Sequence, residues 1–174
     1  MSDELPIKRL QEAATNPDAR EAIMAMESYL RQFKQGDFPL KHHFAEHSYG
    51  REIFIPKGSY IVGKIHRHSH LNVISMGDVT VITEFGFKRM KAPMTFVSEP
   101  GTKRALYAHE DTIWTTIHVT DKQIEAEIEE EIIAPDYETY DSFALMRNLS
   151  TVVGNSPTLD DKQKPLGKED GIED

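Results

Sequence analysis

The sequence predicts a mainly β protein: an antiparallel barrel over residues 50–119, preceded by one helix and followed by an acidic one. Three observations carry this. From Arg51 to Val119, short apolar stretches recur every few residues and are broken by Pro-Lys-Gly, Gly-Asp, Phe-Gly-Phe, Ala-Pro, Pro-Gly and Glu-Asp. Such a rate of punctuation belongs to sandwiches and barrels. Before and after that region the apolar period changes from two to three and four. The chain has 174 residues, enough for one domain with a real core.

The elements follow in order. Asn16-Pro17 reads as a helix start, with Asn16 at the N-cap and Pro17 at the first helical position. Ile23, Met26, Tyr29, Leu30 and Phe33 then form an apolar stripe that ends near Gly36. That stripe needs a covering surface, either the outside of the barrel or another subunit. DFPLKHHFAEHSYG, with His42, His43 and His47, reads as a turn-rich connector that completes an N-terminal unit of residues 1–49. Strands are expected at REIFIP, SYIVGKI, LNVISM, DVTVITEF, FKRMKA, MTFVSE, RALYA and DTIWTTIHV, with Gly58, Gly77 and Gly101 at turns. TDKQIEAEIEEEII switches back to a helical face of Ile124, Ile128 and Ile132, capped by Thr120 or Asp121. Residues 120–150 thus form an acidic helix and an anchoring segment that includes Tyr137, Tyr140 and Phe143. Residues 151–174 are charged and poor in apolar side chains, and read as a disordered tail.

Charge narrows the function classes. The formal net charge is −9, yet residues 50–119 carry nine Lys/Arg against six Asp/Glu. Residues 120–159 carry nine acids against two bases, so the negative charge sits on the flank. Nucleic acid is an unlikely partner on this balance. No apolar run is long enough for a membrane span, and the first residues lack the order of a secretory signal. With no cysteine there is no disulfide framework and no thiolate chemistry. The expectation is a protein of the cytoplasm.

The chemistry concentrates in GSYIVGKIHRHSHLNVISMG, residues 58–77. His66, His68 and His70 are spaced two apart, so on one extended strand they would share a face and could hold a metal ion. A turn among them would break that alternation and release His68 and His70 from the inward face. Lys64 and Arg104 argue for a different occupant. Two cations facing one pocket repel a divalent ion and suit an anion. Lys64, His66, His70 and Arg104 are therefore the candidate ligand-binding set, and His66, His68 and His70 the candidate metal set. His118 shares parity with Trp114 and Thr116, and His109 and His118 are the further candidates for a fourth ligand or a general base. Trp114 reads as packing.

The spacing of Gly58, Lys64, His66, His70 and Gly77 resembles the first motif of the cupin superfamily, and SEPGTKRALYAHED resembles the second. In that resemblance Lys64 stands at the first ligand His, His70 at the ligand Glu, and Arg104 at the His of the second motif, while His66 keeps its type. The longer run from YGREIFIPKGSYIVGKIH through DTIWTTIHV is similar to small cupin-like proteins of tailed bacteriophages and prophages. The resemblance implies a jelly-roll barrel that pairs into a homodimer or larger oligomer. It leaves three functions open. One is a non-catalytic module holding a small polar or anionic ligand in the barrel. Another is a metal-dependent enzyme using His66 and His70. The third is a virion or assembly protein, which would place the chain in a host cytoplasm or a virion. No cofactor is named by it; a divalent metal is possible but not favoured.

Overall fold

The computed structural model describes residues 19–84 and 86–154, with side chains up to residue 150. The expected helix start at Asn16-Pro17 and the tail from Asn155 lie outside the described residues. Helix α1 spans Ala19–Leu30. Eleven strands follow in chain order: β1 Leu40–Ala45, β2 Ser48–Ile55, β3 Tyr60–Val62, β4 Ile65–His66, β5 His70–Met76, β6 Asp78–Thr83, β7 Gly86–Lys91, β8 Met94–Ser98, β9 Ala105–Ala108, β10 Thr112–Val119 and, after α2 (Glu125–Ile132), β11 Ile133–Ala134. Helix α3, Tyr137–Gly154, closes the described chain.

The strands form two antiparallel sheets and a ribbon. One sheet has the order β1-β2-β10-β5-β8, the other β3-β9-β6-β7, and β11 pairs with β4. The sheets are not closed into a barrel, which corrects the sequence expectation. The chain crosses between the sheets repeatedly, at Pro56-Lys57-Gly58, at Gly77 and at Ala92-Pro93 among other places, and no ladder joins β7 to β8 across the Ala92-Pro93 corner. Proline has no N–H to donate at such a corner. The core lies between the sheets. Ile55, Ile74 and Trp114 from one sheet meet Val79, Val81, Met90, Leu106 and Ala108 from the other.

The outer faces explain the flanking elements. Ile82, Ala105 and Tyr107 turn away from the main core and pack with Met26 of α1, which lies over β3, β6 and β9. Ile23 of the same helix is 1% exposed. Helix α1 ends at Leu30, so Phe33, 53% exposed, drops out of the expected stripe. Helix α2 drives Ile128 and Ile132 against Tyr49 at one end of the sheets. It starts at Glu125 and lacks a side-chain cap. Thr120 instead accepts the Lys122 amide and donates to Glu131, closing a turn before the helix.

Four elements escaped the sequence: the two-residue strands β4 and β11, which pair with each other, and two longer ones. β1 occupies what read as connector, because an edge strand exposed on both faces shows no alternation: Leu40–Ala45 is almost wholly exposed. It forms a hairpin with β2, and His47 at φ 58° takes the left-handed turn position. α3 replaces the mixed segment after Pro135. Its cap was readable, since Asp136 accepts the Thr139 amide at 2.7 Å. Among the described residues no helix is long and apolar enough to cross a membrane.

Candidate metal centre

Three histidines meet at the end of the inter-sheet space nearest α2. His66 comes from the two-residue strand β4, His70 from the first position of β5, and His118 from near the end of β10. Trp114, Thr116 and His118 alternate inward along β10, as their parity implies. β10 and β5 pair as far as Ile117 and Leu71, so His118 and His70 fall one step beyond that pair on the inner face. Each of the three offers one ring nitrogen, and the three atoms lie within 4.8 Å of one another. Ring centroids are 4.2 Å apart for His66–His70, 4.7 Å for His70–His118 and 5.1 Å for the stacked pair His66–His118.

His66 Nδ1, His70 Nε2 and His118 Nε2 are all buried without a hydrogen-bond partner. Buried polar atoms without partners are rare and costly, and three on neighbouring imidazoles mark a place for an electrophile. Burial is the first cause of their shared electrostatic state. It pushes the pKa of His66 down to about 2, with His70, His118 and Arg104 adding repulsion. His118 is lowered to about 3, again mainly by burial and then by His70. His70 is lowered to about 4 by burial, against the opposing hydrogen bond to His68. All three are neutral imidazoles at pH 7, with lone pairs available. These donors fit a divalent transition-metal ion.

The expected residues are only partly assembled. His68 stands outside the trio, half-buried, with its ring edge-on to Phe143 of α3 at 5.4 Å. The turn at Arg67–Ser69 breaks the strand, so i, i+2, i+4 spacing does not bring the three together. His118, from a strand about fifty residues later, fills that place. Lys64 is 57% exposed and pairs with Glu129, itself 52% exposed, at the rim of the cavity rather than inside it. His109 is occupied elsewhere: its Nε2 is 2.7 Å from Thr80 Oγ1 on the second sheet. His43 faces Glu52, and His47 faces Asp121 at the surface.

Arg104 does approach the trio. It is half-buried, has no carboxylate partner among the described residues, and its pKa is pushed down to about 10 by desolvation, so it remains charged at neutral pH. Its guanidinium donates to Ser98 Oγ and sits 5.7 Å from the Phe96 ring and 5.9 Å from Trp114. Behind it runs a chain of hydrogen bonds that the sequence did not suggest. Trp114 Nε1 donates to Asn72 Oδ1 at 3.0 Å, and Asn72 Nδ2 donates to Ser98 Oγ at 2.6 Å. Asn72 is fully buried, and a buried Asn in a strand of apolar neighbours was the available signal.

His66, His118 and Arg104 line a cavity of about 300 Å³ whose other walls are mostly apolar, including Ile53, Ile61, Leu106 and Ile128. Tyr49 completes the wall beside His118, with ring centroids 6.5 Å apart.

No protein-family model matches the chain, and no curated protein matches it. Solved structures similar to it include bacterial cupins. An RmlC-like cupin from Shewanella frigidimarina NCIMB 400 is 18% identical over 54% of this chain and 85% of that one, with a TM-score of 0.44. A cupin domain from Bordetella pertussis Tohama I is 13% identical over 51% and 98%, with a TM-score of 0.41. Ectoine synthase from P. lautus is 10% identical over 57% and 75%, with a TM-score of 0.46. Nothing in these three supports the phage and prophage resemblance.

Proposed function

We propose that this chain is a metal-dependent protein that takes a small, partly apolar anion into its inter-sheet cavity. His66, His70 and His118 hold a divalent transition-metal ion, and Arg104 faces the anion. The observation that carries this reading is three histidines that each offer a ring nitrogen within 4.8 Å of the others and each keep one buried nitrogen without a partner. Three protein ligands leave further coordination positions free, the pattern of catalytic rather than structural centres. When bound, the ion supplies Lewis acidity toward an oxygen of the ligand.

The charge balance names the ligand class. Three neutral imidazoles do nothing to offset a divalent ion, and Arg104 adds a further positive charge without a counter-ion. Glu125 and Glu129 also line the cavity, but both are half exposed and Glu129 is paired with Lys64, so the inner charge of Arg104 is left for an exogenous anion. Arg104 orients a carboxylate or enolate oxygen through its forked donors. The apolar walls exclude water and accept a hydrocarbon body.

A second reading keeps the cavity and drops the metal: a non-catalytic module that binds the same anion through Arg104 and the histidine N–H groups. The charge of Arg104, which acts on His66 and His70, favours it.

Metal analysis of the purified protein at pH 7.5 decides between them. About one Fe, Mn, Ni, Co or Zn per chain, lost in His66→Ala, supports the metal-dependent reading. A wild type that holds no metal after incubation with each of these ions overturns it.

A further inference from the structure

Tyr49, His42 and Glu125 form a connected set on the wall of the same cavity, outside the histidine trio. Tyr49 is 2% exposed, and its hydroxyl lies 2.7 Å from His42 Nδ1. His42 Nε2 faces the carboxylate of Glu125 at 3.6 Å, and Glu125 is half exposed on α2. Both Tyr49 and Glu125 line the cavity. The set therefore runs from solvent to the cavity interior through one imidazole.

Its protonation logic follows from what each atom can do. Glu125 lies beyond direct hydrogen-bond distance of His42 Nε2, but its negative charge at 3.6 Å favours hydrogen on that nitrogen. In the neutral ring the other nitrogen is then bare, and the Tyr49 hydroxyl donates to it. The hydroxyl proton is directed away from the cavity. If His42 gains a second proton, Nδ1–H donates to the Tyr49 oxygen instead, and the hydroxyl proton is free to turn toward a ligand.

We propose that His42 is a proton-linked anion switch: an anion entering the cavity draws one proton onto His42, and Tyr49 becomes its hydrogen-bond donor. This deepens the proposed function and rests on its anion-binding cavity, but not on the metal. The proton balance is simple. One proton moves from solvent to His42 Nδ1 as one anion binds, and no covalent bond is made or broken in the ligand. Tyr49 stays a neutral hydroxyl throughout. Burial raises its pKa first, Glu125 and Glu129 add to that, and Arg51 opposes them. The charged or titratable groups facing the pair are thus Glu125 and Glu129 from α2, Arg51 from β2 and the His118 ring from β10.

The ligand class this device recognises is a carboxylate or enolate with an apolar body. Arg104 and the Tyr49 hydroxyl would each take one of its oxygens. Benzoate is a suitable probe. Calorimetric titration of benzoate into the purified full chain at pH 7.5, in two buffers of different ionisation enthalpy, counts the protons taken up. The wild type is expected to take up close to one proton per benzoate. Tyr49→Phe and His42→Asn, with circular dichroism matching the wild type, are expected to bind benzoate about tenfold or more weakly and without proton uptake. Benzoate binding by the wild type without uptake overturns the proposal, as does uptake unchanged in both variants or no benzoate binding at all. Metal content measured on the same samples separates the two readings. Proton uptake by a wild type that holds no metal leaves the switch standing and removes the metal; a metal-loaded wild type without uptake does the reverse.

Discussion

His70 Nδ1 lies 3.2 Å from the carbonyl oxygen of His68, and that contact fixes what the other face of the imidazole can do. A carbonyl oxygen only accepts, so Nδ1 carries the hydrogen and donates. Nε2 keeps its lone pair, buried and without a partner, on the ring that neighbours His66 and His118. Orientation of a ligand imidazole by a backbone carbonyl is the usual way a protein sets the tautomer of a metal-binding histidine.

The contact separates the ring of His68 from its backbone. His68→Ala removes the imidazole but keeps the carbonyl, so it should retain metal at wild-type stoichiometry. His70→Ala and His118→Ala each remove a proposed ligand and should lower metal affinity by well over tenfold. Metal per chain after dialysis reads the difference. Equal loss in His68→Ala and His118→Ala would restore the run of alternating histidines as the ligand set.

That test also marks how far the sequence reached. Of the strands from β2 to β10, all but the two-residue β4 were legible, because each carries its own apolar pattern and is bounded by turn residues. His66 and His70 were legible through the spacing of Gly58 and Gly77, which take φ of 82° and 108° at the turns. His118 offered only its parity with Trp114, since its partners lie about fifty residues away and meet it only through the β10–β5 ladder. Lys64 shows the opposite failure. Its position pointed inward, but an acidic residue on α2, Glu129, draws its amine to the rim. Spacing along one strand does not reveal which element later packs over it.

Acid should destabilise the metal-free protein through the trio. In the folded chain the pKa values of His66, His118 and His70 are lowered to about 2, about 3 and about 4. In the unfolded chain each is near 6.5. Below pH 6.5 the unfolded state therefore binds more protons than the folded state, and stability falls as pH falls. It is fully present above pH 6.5 and drains away as pH falls, toward pH 4 for His70 and further, toward pH 3 and pH 2, for His118 and His66. Thermal melts of chelator-treated protein from pH 7.5 to 4.5 should show this decline. His66→Asn/His70→Asn should flatten it, and an equally steep decline in that double variant would assign the acid sensitivity elsewhere.

Arg104 should trade stability for binding. Its half-buried charge has no carboxylate partner among the described residues and leans on Ser98 and two aromatic faces. Arg104→Met keeps much of the side-chain volume and removes the desolvated charge. Replacing a buried charge by a well-packed apolar side chain is often neutral or stabilising, by about 1–4 kcal/mol. Denaturant unfolding should therefore place Arg104→Met at or above the wild type, while its benzoate affinity falls by about tenfold or more. A clear loss of stability would show that Arg104 braces the fold through Ser98 and Asn72 instead.

The two glycines that frame the histidine stretch should respond unequally to alanine. Both have positive φ, where a Cβ is strained, and that shared penalty is about 1 kcal/mol. Their surroundings differ. A Cβ on Gly58 would meet nothing within 4 Å. A Cβ on Gly77 would sit 2.2 Å from Thr112 Oγ1, 2.7 Å from the Asp111 carbonyl oxygen and 2.7 Å from Thr112 Cα. Two of those atoms are backbone at the start of β10, so they cannot swing aside. The strand that carries Trp114 and His118 would have to shift. Gly77→Ala should then cost at least about 2–3 kcal/mol beyond Gly58→Ala, in the range of overpacked cores, and should weaken metal retention as well. Denaturant midpoints and metal content of the two variants check both parts. Equal midpoints would mean that the β5–β6 turn yields without moving β10, and that His118 is held in place from the other side, by β2.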